Sequence, residues 1–89
     1  MTVEKKLIIN NETGLHARPA SQFVKKAGQF EAKVEILMED KEVNAKSIMG
    51  IMSLGIGKGD EITLKADGKD AEAAIEGLTE FIEVELLEH

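Results

Sequence analysis

Eighty-nine residues, 43% of them hydrophobic, suffice for one small domain with one core and leave little interior for a buried catalytic cleft. The chain has no cysteine, which excludes a disulfide scaffold, a thiolate zinc site and a thiol nucleophile, and fits a reducing, cytoplasmic setting. A net charge of −6 argues against direct nucleic-acid binding, and no apolar run approaches the ~20 residues that insert across a membrane.

The opening MTVEKK lacks the apolar core of a secretion signal. "VEKKLIIN" then sets Val3, Lys5, Leu7 and Ile9 on one side and Ile8 on the other, the period of a half-buried strand. "NNETG" is a cluster of turn formers. From Ala17, the spacing of Ala20, Phe23, Val24 and Ala27 predicts an amphipathic helix, with Gly28 expected to end it in the left-handed conformation. Two short alternating runs follow, Ala32, Val34, Ile36 and Met38 and then Val43 and Ala45, which read as a hairpin turning at Glu39-Asp40 without the usual Asn-Gly. "SIMGIMSLGIGKGDE" predicts a short apolar helix and a glycine loop, and "EITLKA" another strand with Ile62 and Leu64 inward. Asp67-Gly68 reads as a tight turn. Asp70 is the expected N-cap of a last helix whose stripe is Ala74, Ile75, Leu78, Phe81 and Ile82.

The order β-α-β-β-α-β-α predicts an α+β fold, one antiparallel sheet covered on one face by helices. One domain is expected over residues 1–86. The closing Leu87-Glu88-His89 reads as the remnant of a purification tag, which leaves His89 without a role.

Chemistry concentrates at "GLHARPAS". Pro19 suits the first helical turn, where its missing N–H costs nothing, so His16 falls at or near the N-cap. The free N–H groups of a helix start attract anions, and Arg18 adds a permanent charge with a fork of donors. The same positive end disfavours a protonated imidazole, and a neutral imidazole is what a nucleophile requires. A phosphoryl group on His16 would place negative charge against these donors. The residues alone also fit a solvated histidine or a modest cap. They give no second ligand for zinc and no partners for a hydrolytic triad.

Ser47 precedes the short apolar helix and fits an ordinary N-cap. Ile48, Met49, Ile51, Met52 and Leu54 are too many for one face of so short a helix, so part of this set is expected at the surface as an adaptable, methionine-rich contact patch. A phosphate on Ser47 would put strong negative charge beside that patch.

Together, "GLHARPAS" and "KSIMGIMSLGIGKGDEITL" closely resemble the histidine-containing phosphocarrier (HPr) family of the bacterial phosphoenolpyruvate-dependent sugar phosphotransferase system, over essentially the whole chain. The resemblance implies an open-faced sandwich with strand order 1-4-2-3 under three helices. It implies that His16 carries the phosphoryl group on Nδ1, that Arg18 steadies it, and that Ser47 is the serine phosphorylated with ATP by HPr kinase/phosphorylase. Implied partners are Enzyme I as donor, EIIA proteins or domains as acceptors and, for the seryl-phosphorylated form, a catabolite-control transcription factor. Contact positions implied by the match are Ala17, Ala20, Ser21, Phe23 or Val24 on the first helix and Ile48, Met49 and Met52 on the second. Lys25 and Lys26 are candidates for steering acidic partners. Such a carrier is expected to be a cytoplasmic monomer without cofactor or metal, an intermediate of enzymes rather than an enzyme. The alternatives are a mainly regulatory corepressor and a nitrogen-branch carrier. Some purely regulatory relatives lack the histidine, which this chain keeps.

Overall fold

The structure, a computed structural model, describes residues 1–12, 14–15 and 17–86. Thr13, His16 and the expected tail 87–89 lie outside the described residues. The elements run β1 (Thr2–Ile8), α1 (Ala17–Ala27), β2 (Lys33–Met38), β3 (Lys41–Asn44), α2 (Ile48–Ser53), β4 (Glu61–Asp67) and α3 (Ala71–Glu80), which continues as a π-helical turn over Phe81–Glu85. The four strands form one antiparallel sheet in the order β1-β4-β2-β3, as the resemblance implies.

The period-two runs divide the sheet into two faces. Leu7, Ile9, Val34, Ile36, Ile62, Leu64 and Ala66 point into the core, where Phe23, Ala27, Ala74, Leu78 and Phe81 meet them from the helical layer. Ile36 stands opposite Val43 and Leu64, so the two runs of the hairpin share the covered face. Phe23 is fully buried and meets Phe81 edge to face with ring centroids 5.9 Å apart. Its burial alone contributes on the order of 2–3 kcal/mol. The other face presents Glu4, Lys6, Glu35, Glu42 and Lys65, with Ile8 as its one strongly exposed large aliphatic side chain among the described residues.

Two local expectations are corrected. Gly28 does not adopt a positive φ. Its N–H continues the helical pattern to the Val24 carbonyl at 2.9 Å, and Gln29 and Phe30 then close three-residue turns onto Lys26 and Ala27. Asp70 does occupy the N-cap position of α3, but its side chain caps nothing there. The carboxylate instead accepts the backbone N–H groups of Glu31 and Ala32, both at 2.8 Å, fastening the entry of β2 to the start of α3. Those hydrogen bonds, led by that of Glu31, hold the Asp70 carboxyl below its ordinary value against a smaller opposing effect of desolvation.

The hairpin turns at Glu39-Asp40 as read, and the absence of glycine has a cost. Glu39 sits at φ 58°, the one non-glycine residue with positive φ among those described.

Candidate functional site

The loop that leads from β1 to α1 is held by backbone geometry. Gly14 takes φ 60° and donates its N–H to the Asn11 carbonyl at 3.2 Å, while the buried Asn11 side chain donates Nδ2–H to the Gly14 carbonyl at 2.9 Å. Leu15 N–H reaches the Ile56 carbonyl at 3.1 Å, so this loop is paired with the glycine loop that follows α2. A Cβ on Gly14 would lie 2.4 Å from the Ile56 oxygen and 2.7 Å from Gly57 Cα. Only glycine allows both the left-handed turn and this approach of two backbones. The glycine loop is itself pinned, with Gly57 N–H on Asp60 Oδ2 at 2.8 Å, Gly59 N–H on the Ile9 carbonyl and Ile9 N–H on the Asp60 carbonyl. Above the loops an exposed ion pair joins Lys58 Nζ to Glu12 Oε1 at 2.7 Å, and Lys58 holds the Glu12 carboxyl below its usual range by hydrogen bonding and then by charge.

Helix α1 begins at Ala17, directly after His16, and keeps Pro19 in its first turn, where proline is compatible with unpaired N–H positions. His16, expected as the phosphorylated residue, lies outside the described residues. Ala17, Arg18 and Ser21 are exposed on the first turns of the helix. Ala20 is a correction. It is 0% exposed, because a residue one turn before Phe23 and Val24 on the same stripe faces the sheet, so it packs and cannot present itself to a partner. Phe23 is likewise core, and Val24 is half-buried.

Ser47 performs the expected cap, its Oγ accepting the Gly50 N–H at 3.0 Å. The helix it starts is anchored by Ile51 and leaves Ile48, Met49 and Met52 exposed at 40, 83 and 47%. These are three of the six large hydrophobic side chains exposed among the described residues, gathered on one short helix. Leu15, Met52, Gly55, Ile56 and Gly57 line a cleft of about 140 Å³ between the histidine loop and the end of α2. The two sequence motifs are thus brought onto one surface. Lys25 and Lys26 stand farther along α1, where with Gln22, Gln29, Phe81 and Glu85 they line a second groove of about 220 Å³.

Nothing in the sequence pattern singles out Asn11, Leu15, Ile56 or the Glu12–Lys58 pair. Each acts through a partner distant in the chain or through the backbone, and neither leaves a periodic signal. The asparagine in "NNETG" was legible only as a turn former.

The sequence model described as the PTS HPr component phosphorylation site matches residues 3–84. The chain belongs to the HPr family. It is 51% identical over 83 residues to the HPr-like protein Crh of Halalkalibacterium halodurans, covering 93% of this chain and 99% of that protein. Among solved structures it is similar to an HPr of Thermoanaerobacter tengcongensis, with TM-score 0.92 and 46% identity over 98% of this chain and 97% of that one. It is also similar to Crh of Bacillus subtilis, a catabolite repression protein whose crystal structure was described as a domain-swapped, intertwined dimer, with TM-score 0.76 and 45% identity over 96% and 98% of the two chains. Among the described residues no helix is long and apolar enough to cross a membrane, and no group of three or more metal-ligating side chains gathers.

Proposed function

We propose that this HPr-family chain is a phosphoryl carrier of the sugar phosphotransferase system, taking the group on His16 from phospho-Enzyme I and passing it to EIIA proteins or domains. The observation that carries the reading is the convergence of the two motifs. Leu15, two positions before the eleven-residue helix that bears the exposed Arg18, shares a cleft with the exposed Met52 of the second motif. In the transfer, Nδ1 of His16 bonds the phosphorus of the donor's phosphohistidine as the donor N–P bond breaks, and the phosphoryl group keeps its charge throughout. Arg18 and the N–H groups of the first turn of α1 supply donors for its oxygens, and positioning of the two proteins supplies the rest. An open surface suits this task. The group must be reached by several partners in turn, and Ile48, Met49 and Met52 offer each an adaptable apolar contact.

A second output is favoured by Ser47 and by the similarity to Crh proteins. Ser47 stands at the edge of the exposed methionine patch. In its modification by HPr kinase/phosphorylase, Oγ would attack the γ-phosphorus of ATP, ADP would leave, and the hydroxyl proton would pass to a base of the kinase. The added charge would discourage Enzyme I and recruit a catabolite-control transcription factor with a basic surface. The retained histidine supports the carrier role as the main one, and the protein would act in the cytoplasm.

Incubation with phosphoenolpyruvate and Enzyme I tests the carrier reading. The chain should take up an acid-labile phosphoryl group that is absent from His16→Ala, and Arg18→Ala should slow uptake far more than it lowers the melting temperature. Failure of the unaltered chain to take up label would end the proposal. Acid-stable labelling of Ser47 by ATP and the kinase tests the second output.

A further inference from the structure

The residue before the cap is tied down more firmly than a surface lysine needs to be. Lys46 donates from Nζ to the Phe30 carbonyl at 2.8 Å and from its backbone N–H to Asn44 Oδ1 at 2.8 Å, while Ser47 N–H bonds the Asn44 carbonyl at 3.1 Å. Phe30 belongs to the same short connection, between α1 and β2, whose next two N–H groups are gripped by the Asp70 carboxylate. The charge of Lys46 also contributes to holding the Asp70 carboxyl low, so the ammonium and the carboxylate bear on one loop from opposite partners. The Asn44–Ser47 turn is therefore anchored to the loop before β2 and, through it, to the start of α3.

We propose that Lys46 is a positioning residue for the modification of Ser47. Anchored on the Phe30 carbonyl, it fixes the turn from which the Ser47 hydroxyl is presented to a kinase. The inference rests on the Ser47 reading above. A hydroxyl on a half-buried surface turn loses little by being held, and an enzyme that must align it with a γ-phosphate gains by not having to order the turn itself. A charged side chain at this point is commonly solvated and mobile. Here it spans to a carbonyl 16 residues earlier and is partly buried in doing so.

The test compares Lys46→Met, Lys46→Arg and Asp70→Asn as substrates of HPr kinase and ATP, with uptake at His16 from phosphoenolpyruvate and Enzyme I as the control on folding. Lys46→Met should lose about tenfold in kcat/KM for Ser47 while His16 uptake changes by less than about twofold, and arginine, which keeps a donor of similar reach, should restore most of the rate. Asp70→Asn weakens the same loop without touching the serine turn, so it should reduce Ser47 labelling too, and the double variant should lose less than the product of the two. Equal labelling of Lys46→Met and the unaltered chain overturns the proposal. So does a loss in Lys46→Met with Asp70→Asn unaffected, since the lysine would then be touching the kinase directly. If the unaltered chain is not labelled at Ser47 at all, the Ser47 reading falls and takes this inference with it.

Discussion

Gly14 and Gly55 form a natural pair for measuring what the crossing of two loops contributes. Their φ angles are nearly equal, 60° and 61°, yet a Cβ on Gly55 meets nothing within 4 Å, whereas one on Gly14 strikes the backbone of Ile56 and Gly57. Alanine at Gly55 should therefore cost only the left-handed strain, about 1 kcal/mol after the lower entropy of the unfolded alanine chain is credited. Alanine at Gly14 adds the displacement of a backbone that cannot rotate away and loss of the Leu15 to Ile56 hydrogen bond, for a total of about 3 kcal/mol. In a domain of this size each kcal/mol moves the melting temperature by about 4–8 °C. Calorimetry should then show a drop of about 4–8 °C for Gly55→Ala and more than ~12 °C for Gly14→Ala. At a temperature where both are folded, phosphoryl uptake should fall in Gly14→Ala, whose substitution shifts the loop next to His16, and stay near normal in Gly55→Ala. Equal melting temperatures for the two variants would refute the argument that backbone contact, rather than φ alone, demands glycine at position 14.

Three further outcomes follow from other positions. Glu39→Gly should raise stability by about 0.5–1 kcal/mol in chemical denaturation by relieving the positive φ, while Asp40→Gly, at a position without one, should lower it. Thr79 is buried with its hydroxyl unpartnered among the described residues, so Thr79→Val should stabilise the domain by about 1 kcal/mol in the same assay. Glu35 and Glu42 are diagonal neighbours on the uncovered sheet face. The hydrogen bond to Glu42, then desolvation and the charge of Glu42, raise the Glu35 carboxyl above its ordinary value near 4.5, against the pull of Lys33 and Lys65. The folded state therefore binds more protons just above that value, and stability falls as pH rises through the window up to the folded pKa. Urea titrations across that window should show a shallower fall in Glu42→Gln.

The elements that were legible in the sequence are those whose signal is local. Period-two runs located all four strands, and the Phe23 and Leu78 stripes located the long helices, because alternation and a 3.6-residue repeat state which side is buried. Ser47 was legible for the same reason, since its cap reaches only to Gly50. Asp70 stands at a helix start, as its place in the sequence predicts, but its side chain does not cap that helix. Its partners, Glu31 and Ala32, lie in a different part of the chain, and a carboxylate chooses among donors by geometry that only the tertiary fold supplies. Ala20 shows the opposite difficulty. A small residue on a helix stripe suits both a close core contact and a shallow interface, and only the position of the sheet decides between them. The π-helical turn at Phe81–Glu85 also left no mark, since its buried Phe81 and Ile82 fit an ordinary helix equally well.

The capping bond of Ser47 bears on how the role of that residue is to be judged. Alanine, the usual way to remove a modifiable hydroxyl, also removes the acceptor for the Gly50 N–H and with it about 1 kcal/mol from a six-residue helix. That helix carries the exposed methionines, so a defect seen in Ser47→Ala would mix absence of the phosphate with a frayed contact surface. Asparagine accepts the same hydrogen bond from a side chain that no kinase can phosphorylate. Ser47→Asn is thus the comparison in which loss of signalling and loss of shape come apart.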